Sequence, residues 1–137
     1  MLPGFSHCFE LHNSRLNAIW RIVQSGNTGL FHAVGAGKTA IMAAASMELR
    51  RLGLANKPVH VVPNHCLHQY TAEFVRLYPG ASVLMATKED LAGNHRREFV
   101  SRVATGAWDA VVMTHSTFGL LPMCVPPATL HEFRISC

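Results

Sequence analysis

The residues whose types and spacing point most directly to chemistry lie at positions 35–39, which read Gly-Ala-Gly-Lys-Thr. Glycines let the backbone curl so that successive N–H groups point at phosphate oxygens, and a following helix N-terminus adds partial positive charge. In such a loop the Lys38 ammonium reaches the β- and γ-phosphates of a nucleotide, and the Thr39 hydroxyl holds Mg²⁺. We therefore predict a phosphate-binding loop. The alternative is a glycine-rich helix entrance with a surface lysine.

The loop departs at one position from the commonest phosphate-binding pattern, Gly-x-x-x-x-Gly-Lys-Ser/Thr. That pattern asks for glycine at position 32, where this chain has His32, so Gly35 must supply the backbone freedom. A small-molecule kinase of this loop class is disfavoured, because the sequence offers neither the first glycine nor a recognisable lid.

A phosphate-binding loop lies between a strand and a helix, and strand and helix patterns alternate along this chain on both sides of the loop. Apolar, β-prone runs predict strands over residues 29–33, 59–62, 82–86 and 109–113. Helical periodicity predicts helices over residues 13–24, 38–52, 64–77 and 95–104. The alternation predicts an α/β fold, a three-layer parallel sheet with helices on both faces.

Apolar residues at helical spacing predict which faces of these helices meet the core. For the first three helices they are Leu16, Ile19, Trp20 and Val23; Ile41, Ala45, Leu49 and Leu52; and Leu67, Tyr70, Phe74 and Leu77. We expect both tryptophans, Trp20 and Trp108, to be packing residues.

The composition limits the classes of protein to which this chain can belong. A chain of 137 residues with 49% hydrophobic residues is long enough for one packed domain and too apolar for a disordered chain. No apolar run approaches the ~20 residues of a membrane span, and the N-terminus lacks a secretory pattern, so we expect a cytoplasmic protein. The four cysteines form no Cys-x-x-Cys pair. The net charge of +4 is compatible with nucleic-acid binding without demonstrating it.

Four segments together resemble motifs of superfamily 2 helicases. Residues 32–54 resemble motif I and its helix, 61–74 the motif Ia strand and the helix after it, 108–116 a strand ending in a turn that touches DNA, and 16–21 the helix upstream of motif I. They are most similar to the Swi/Snf-like helicase domains of phage and mobile-element proteins that also carry DNA methyltransferase domains. The likeness covers residues 11–120, between an N-terminal extension at 1–10 and an irregular tail at 121–137.

The resemblance implies an incomplete RecA-like lobe, the N-terminal part of the first lobe, that uses ATP and Mg²⁺. Catalytic roles fall on Lys38 and Thr39, with Thr39 also holding the metal. The implied nucleotide-binding residues are Val34, Gly35, Ala36, Gly37, Lys38 and Thr39. The implied contacts to the DNA backbone are Pro63, Asn64, Thr114 and His115, which the residues alone would describe as ordinary strand-end turns. Implied partners are nucleotide, DNA, and a second helicase lobe or a methyltransferase domain encoded nearby.

Two departures from the family pattern bear on activity. Arg15 stands where the family has an adenine-reading glutamine, and no Asp-Glu pair ends an apolar strand. The other acidic candidates do not replace that pair, since Thr87 and Asp90 are spaced as a capping box, Asp109 begins a strand and Glu132 lies in the tail. We expect the ATP-binding part of a helicase- or translocase-like ATPase that hydrolyses ATP poorly alone. The alternative is a non-enzymatic truncated remnant or a nonspecific DNA-binding module.

Overall fold

The computed structural model of the protein describes residues 2–31, 37–93, 95–121 and 132–134. Its helices are α1 Asn13–Ser25, α2 Lys38–Arg51, α3 Leu67–Leu77, α4 His95–Thr105 and α5 His115–Phe118. Its strands are β1 Val59–Val62, β2 Val83–Ala86, β3 Ala110–Thr114 and β4 Glu132–Arg134. Short 3-10 turns cover Asn64–Cys66 and Glu89–Leu91. None of the helices in these ranges has the length and apolar character that crossing a bilayer requires.

The strands form one parallel sheet in the order β2-β3-β1-β4. In the central pair, Val59 lies opposite Val111 and Val62 lies opposite Thr114, so β1 and β3 end at the same edge of the sheet. The alternation of strand and helix therefore correctly predicted a parallel α/β sheet. Each pair of neighbouring strands is joined through a helical crossover or a longer connection, as parallel pairing requires.

Helices cover both faces of the sheet. On one face Val62, Ala110 and Val112 pack against apolar side chains of α2 and α3. On the other face Val59 and Val61 pack with neighbours that include Phe99 of α4. The three layers confirm the predicted architecture.

Helix α2 is buried on two sides, because α1 packs against it in one apolar cluster and α3 in another. Its run of alanines suits this place, since small side chains let neighbouring helices approach closely. The helix ends at Arg51, before Gly53, whose φ of +72° only glycine adopts readily. Arg50 in its last turn forms an ion pair with Asp109 at 2.9 Å, which ties α2 to the start of β3.

A histidine lies fully buried between β1 and α3. The Nδ1 atom of His60 shares a 2.8 Å hydrogen bond with the Tyr70 hydroxyl, and its ring meets Phe74 edge-on at 5.3 Å. Burial lowers the pKa of His60 from its ordinary 6.5 to about 3, because a charged imidazole would lose its hydration there.

Several predicted details differ from the structure. Residues 29–31 form no strand, and the rest of that predicted strand lies outside the described residues. Strand β1 pairs with β3 on one edge and with β4 on the other, so neither edge of β1 is left for residues 29–31 to pair with. The C-terminal segment was predicted to be irregular, yet Glu132–Arg134 adds β4 beside β1, so Glu132 begins a strand.

The predicted helix faces are correct for α3 and only partly correct for α1 and α2. All four apolar residues predicted for α3 are buried, as are Ile41, Ala45 and Leu49 of α2. Leu52, which follows the last residue of α2, is 47% exposed. Helix α1 buries Ala18, Ile19 and Ile22 and leaves Leu16 40% and Trp20 64% exposed. The prediction that Trp20 is a packing residue is therefore wrong, whereas Trp108 packs against the α4 side of the sheet.

Candidate nucleotide and nucleic-acid site

The first turn of α2 carries the predicted phosphate-binding residues that the structure describes. Gly37 precedes the helix in the left-handed conformation, with φ 79° and ψ 37°. The Ile41 amide donates the first intrahelical bond, to the Gly37 carbonyl at 3.1 Å. The amides of residues 38–40 therefore have no acceptor within the helix, which makes this turn a donor-rich, partially positive surface.

Lys38 and Thr39 are the first two residues of α2, and both are half-buried. Their side chains thus start from the turn whose amides point away from the helix body. The other predicted binding residues, Val34, Gly35 and Ala36, lie outside the described residues.

Arg15 of α1 lies directly against this turn. A β-carbon placed on Gly37 would lie 3.0 Å from Cζ, 3.1 Å from Nε and 3.3 Å from Nη2 of Arg15. Three similar distances mean that the guanidinium plane lies flat on Gly37. The packing of α1 on α2 brings Arg15 against Gly37. Because Lys38 follows Gly37, two cationic residues lie at the start of α2.

The predicted DNA-contacting residues come together at the carboxyl ends of β1 and β3. Val62 and Thr114 are register partners, so the chain leaves both strands side by side. The Ser116 hydroxyl then donates to Oδ1 of Asn64 at 3.2 Å, which joins the two turns. Sequence reasoning did not single out Ser116.

The two turns expose only some of the predicted groups. The side chain of Thr114 is buried, and its Oγ1 accepts from the Thr117 amide at 3.2 Å as the N-cap of α5. Pro63 is half-buried, whereas Asn64, His115 and Ser116 are exposed. Threonine is a favoured N-cap residue because its side-chain oxygen accepts from an amide of the first helical turn, and this bond turns the Thr114 side chain inward.

The acidic residues beside the strands have structural partners. Asp90 accepts hydrogen bonds from the Thr87 amide at 2.8 Å and from its hydroxyl at 2.7 Å, so half of the predicted capping box forms and the hydroxyl donates to the carboxylate instead of capping an amide. Burial works to raise the pKa of Asp90, but the Thr87 hydrogen bonds and the Arg102 charge outweigh it, so the pKa is lowered. Asp109 accepts from the Ser82 amide at 2.8 Å and lies one residue before β3, at the beginning of the strand rather than at its end.

A family described as a probable helicase domain matches residues 20–128, which is most of the chain. The matched segment contains the start of α2 and both strand-end turns, and it begins after Arg15. A search among curated proteins finds no match.

Proposed function

The chain belongs to the family of probable helicase domains, and we propose that it is the ATP-binding part of a DNA helicase- or translocase-like ATPase. Within that family we propose the superfamily 2, Swi/Snf-like type found in methyltransferase–helicase proteins of phages and mobile elements. The segments at 32–54, 61–74 and 108–116 support this assignment through their order and spacing. A second helicase lobe or a methyltransferase domain would then be its partner, and the cytoplasm its compartment.

The observation that carries the proposal is the start of α2. Gly37 takes the left-handed conformation directly before the helix, and Lys38 and Thr39 occupy its first two positions, where backbone amides have no acceptor within the helix. Backbone donors and positive charge at the start of a helix fit a polyphosphate. ATP would be held through its phosphates by these groups, and Thr39 would bind the accompanying Mg²⁺, which neutralises phosphate charge.

DNA would contact the surface formed by the two strand-end turns. Asn64, His115 and Ser116 are exposed polar groups, and the hydrogen bond between Ser116 and Asn64 joins two of them across the turns. Side chains of these types commonly donate to phosphate and sugar oxygens, and such contacts carry no sequence information, so we propose binding that does not depend on sequence. The net charge of +4 favours the approach of a polyanion.

Hydrolysis by this chain alone would be slow. The sequence contains no Asp-Glu pair to hold the metal and polarise the attacking water. Glu89 and Asp90 begin a 3-10 turn, with Asp90 engaged by Thr87. Strong DNA-stimulated ATPase activity from the isolated chain would contradict this part of the proposal.

Titration with a fluorescent ATP analogue in the presence of Mg²⁺ tests nucleotide binding. The wild-type protein is expected to bind and Lys38→Ala to lose at least tenfold in affinity, since a charge-assisted contact contributes about 1.5–3 kcal/mol. Lys88→Ala is the matched control, because Lys88 is an exposed lysine in the connection after β2. Equal affinity for wild type and Lys38→Ala would refute the nucleotide site.

DNA binding measured across salt concentrations separates the ATPase from a non-enzymatic DNA-binding module. The strand-end surface supports both, because it needs no nucleotide to form. The proposal expects Asn64→Ala and His115→Ala to weaken DNA binding and ATP to change its affinity. Binding that falls steeply with salt and is indifferent to ATP would favour the module.

A further inference from the structure

We infer that residues 2–11 form a strap over the end of α3 that is poised to open, and that the unpartnered hydroxyl of Tyr78 beneath the strap favours its opening. This conformational change is independent of the proposed nucleotide and DNA contacts, which lie at the start of α2 and at the strand-end turns.

The strap is held on the protein by side chains that are only half-buried. Leu2 and Leu11 pack against the apolar cluster of α1 and α2, and Phe5, Phe9 and Leu11 pack against the cluster of α2 and α3. The guanidinium carbon of Arg76 lies 5.0 Å from the centre of the Phe9 ring. None of residues 2–11 is buried. The strap therefore lies on the surface of both clusters.

The backbone adds little to this attachment. Within the part of the chain that the structure describes, one backbone hydrogen bond joins the strap to another element, from the Ser6 amide to the Leu77 carbonyl at 2.7 Å. Two other amides of the strap donate to carbonyls within the strap itself. A groove of about 680 Å³ is lined by residues 2–8 and the turn after α3. Segments with few buried contacts open at a lower free energy than the core does.

Tyr78, the residue after α3, lies beneath the strap. Only 2% of its surface is exposed. The ring of Phe5 meets the Tyr78 ring edge-on, with the ring centres 5.3 Å apart. A β-carbon on Gly4 would lie 3.7 Å from Cδ1 of Tyr78. The strap therefore supplies part of the cover that buries this ring.

The Tyr78 hydroxyl is also buried, and it has no hydrogen-bond partner among the described residues. Burial, with a smaller effect of the Glu48 charge, raises the pKa of Tyr78, so the hydroxyl stays protonated. A buried hydroxyl without a partner costs free energy, which is recovered when water reaches it. The closed strap therefore carries a cost that opening removes.

Amide hydrogen exchange followed by NMR spectroscopy tests whether the strap opens on its own. The Ser6 amide reports opening of the strap, and the Val111 amide, which donates to the Pro58 carbonyl at 3.0 Å, reports unfolding of the core. After correction for intrinsic rates, we expect Ser6 to exchange at least about tenfold faster than Val111 in the wild-type protein. A smaller difference would refute the strap, because Ser6 would then be released only when the whole protein unfolds.

Tyr78→Phe tests the role of the hydroxyl, because it removes this group and keeps the ring. We expect it to slow exchange of the Ser6 amide about tenfold, since the closed state then contains no unpartnered hydroxyl at this position. Unchanged or faster exchange of Ser6 would refute the role of the hydroxyl.

Phe5→Ala tests the anchorage of the strap. It removes the ring that packs on Tyr78, so we expect exchange of the Ser6 amide to become at least about tenfold faster. Phe31→Ala is the matched control, because Phe31 is 99% exposed, and it is expected to leave Ser6 unchanged. In each variant the Val111 amide should remain the slower of the two, which shows that the protein is folded. Equal effects of Phe5→Ala and Phe31→Ala on Ser6 would refute the anchorage.

Discussion

Lowering the pH from 7 to 5 tests the burial of His60. This side chain is fully buried between β1 and α3, and Nδ1 shares a 2.8 Å hydrogen bond with the Tyr70 hydroxyl. Burial, with a smaller effect of the Glu73 charge, raises the pKa of Tyr70 above its ordinary range, so the hydroxyl stays protonated. The imidazole is therefore the member of the pair whose protonation differs between the folded and the unfolded chain in mild acid.

The direction in which stability changes with pH follows from whether the folded or the unfolded chain binds the proton. Burial lowers the pKa of His60 from 6.5 to about 3, so between these values the unfolded chain binds a proton that the folded chain excludes. The stability contributed by the neutral, buried state is fully present above pH 6.5 and is lost as the pH falls toward 3. Between pH 7 and pH 5 the loss in unfolding free energy is about 2 kcal/mol.

Urea unfolding at pH 7 and pH 5 measures this loss against a matched control. The double variant His60→Leu/Tyr70→Phe removes the titrating group and leaves no buried hydroxyl without its partner. Other ionisable groups are common to both proteins, so their effects cancel in the difference. The wild type should lose about 2 kcal/mol more than the double variant. Equal losses would refute the assignment of His60 as a buried neutral group.

Three further predictions concern stability. Phe74→Ala should lower the unfolding free energy by about 3–5 kcal/mol, because the ring is fully buried; Val75→Ala, 41% exposed, should change it little, as urea unfolding would show. Asp109→Ala should lower the unfolding free energy measured by urea unfolding by about 1–3 kcal/mol, because it removes the acceptor of the Ser82 amide and the ion-pair partner of Arg50. A loss of no more than about 0.5 kcal/mol would contradict this. Gly37→Ala should lower the unfolding free energy by roughly 1–2 kcal/mol, because Gly37 has a left-handed backbone. The added β-carbon should also displace Arg15 and weaken binding of the fluorescent ATP analogue. Unchanged stability and affinity would contradict this.

Local pattern was enough to predict much of the fold. Helix α3 buries the four residues that its periodicity indicates, and β1 coincides with its predicted run of residues. These elements are set by apolar spacing and by breakers such as Gly53, which the sequence displays directly.

Features that depend on tertiary packing could not be predicted. Helix α1 packs on the alanine-rich α2 through Ala18, Ile19 and Ile22, because a small residue at the contact allows close approach, and the bulky Trp20 is left outside. Strand β4 is only three residues long and depends on pairing with a strand distant in sequence.

The candidate site also has one part that the local sequence predicts and one part that depends on tertiary packing. Lys38 and Thr39 were predicted from a local motif, and the structure begins α2 at that point. The contact of Arg15 with Gly37 and the bond between Asn64 and Ser116 join residues far apart in the chain. Such contacts follow from helix packing and strand register, which no local pattern specifies.

Hydrogen–deuterium exchange with and without saturating ATP·Mg²⁺ reports where the nucleotide binds. We expect slower exchange of the amides at residues 38–40, which have no acceptor within α2, with α4 unchanged. Unchanged exchange in the first turn of α2 would contradict nucleotide binding at this turn.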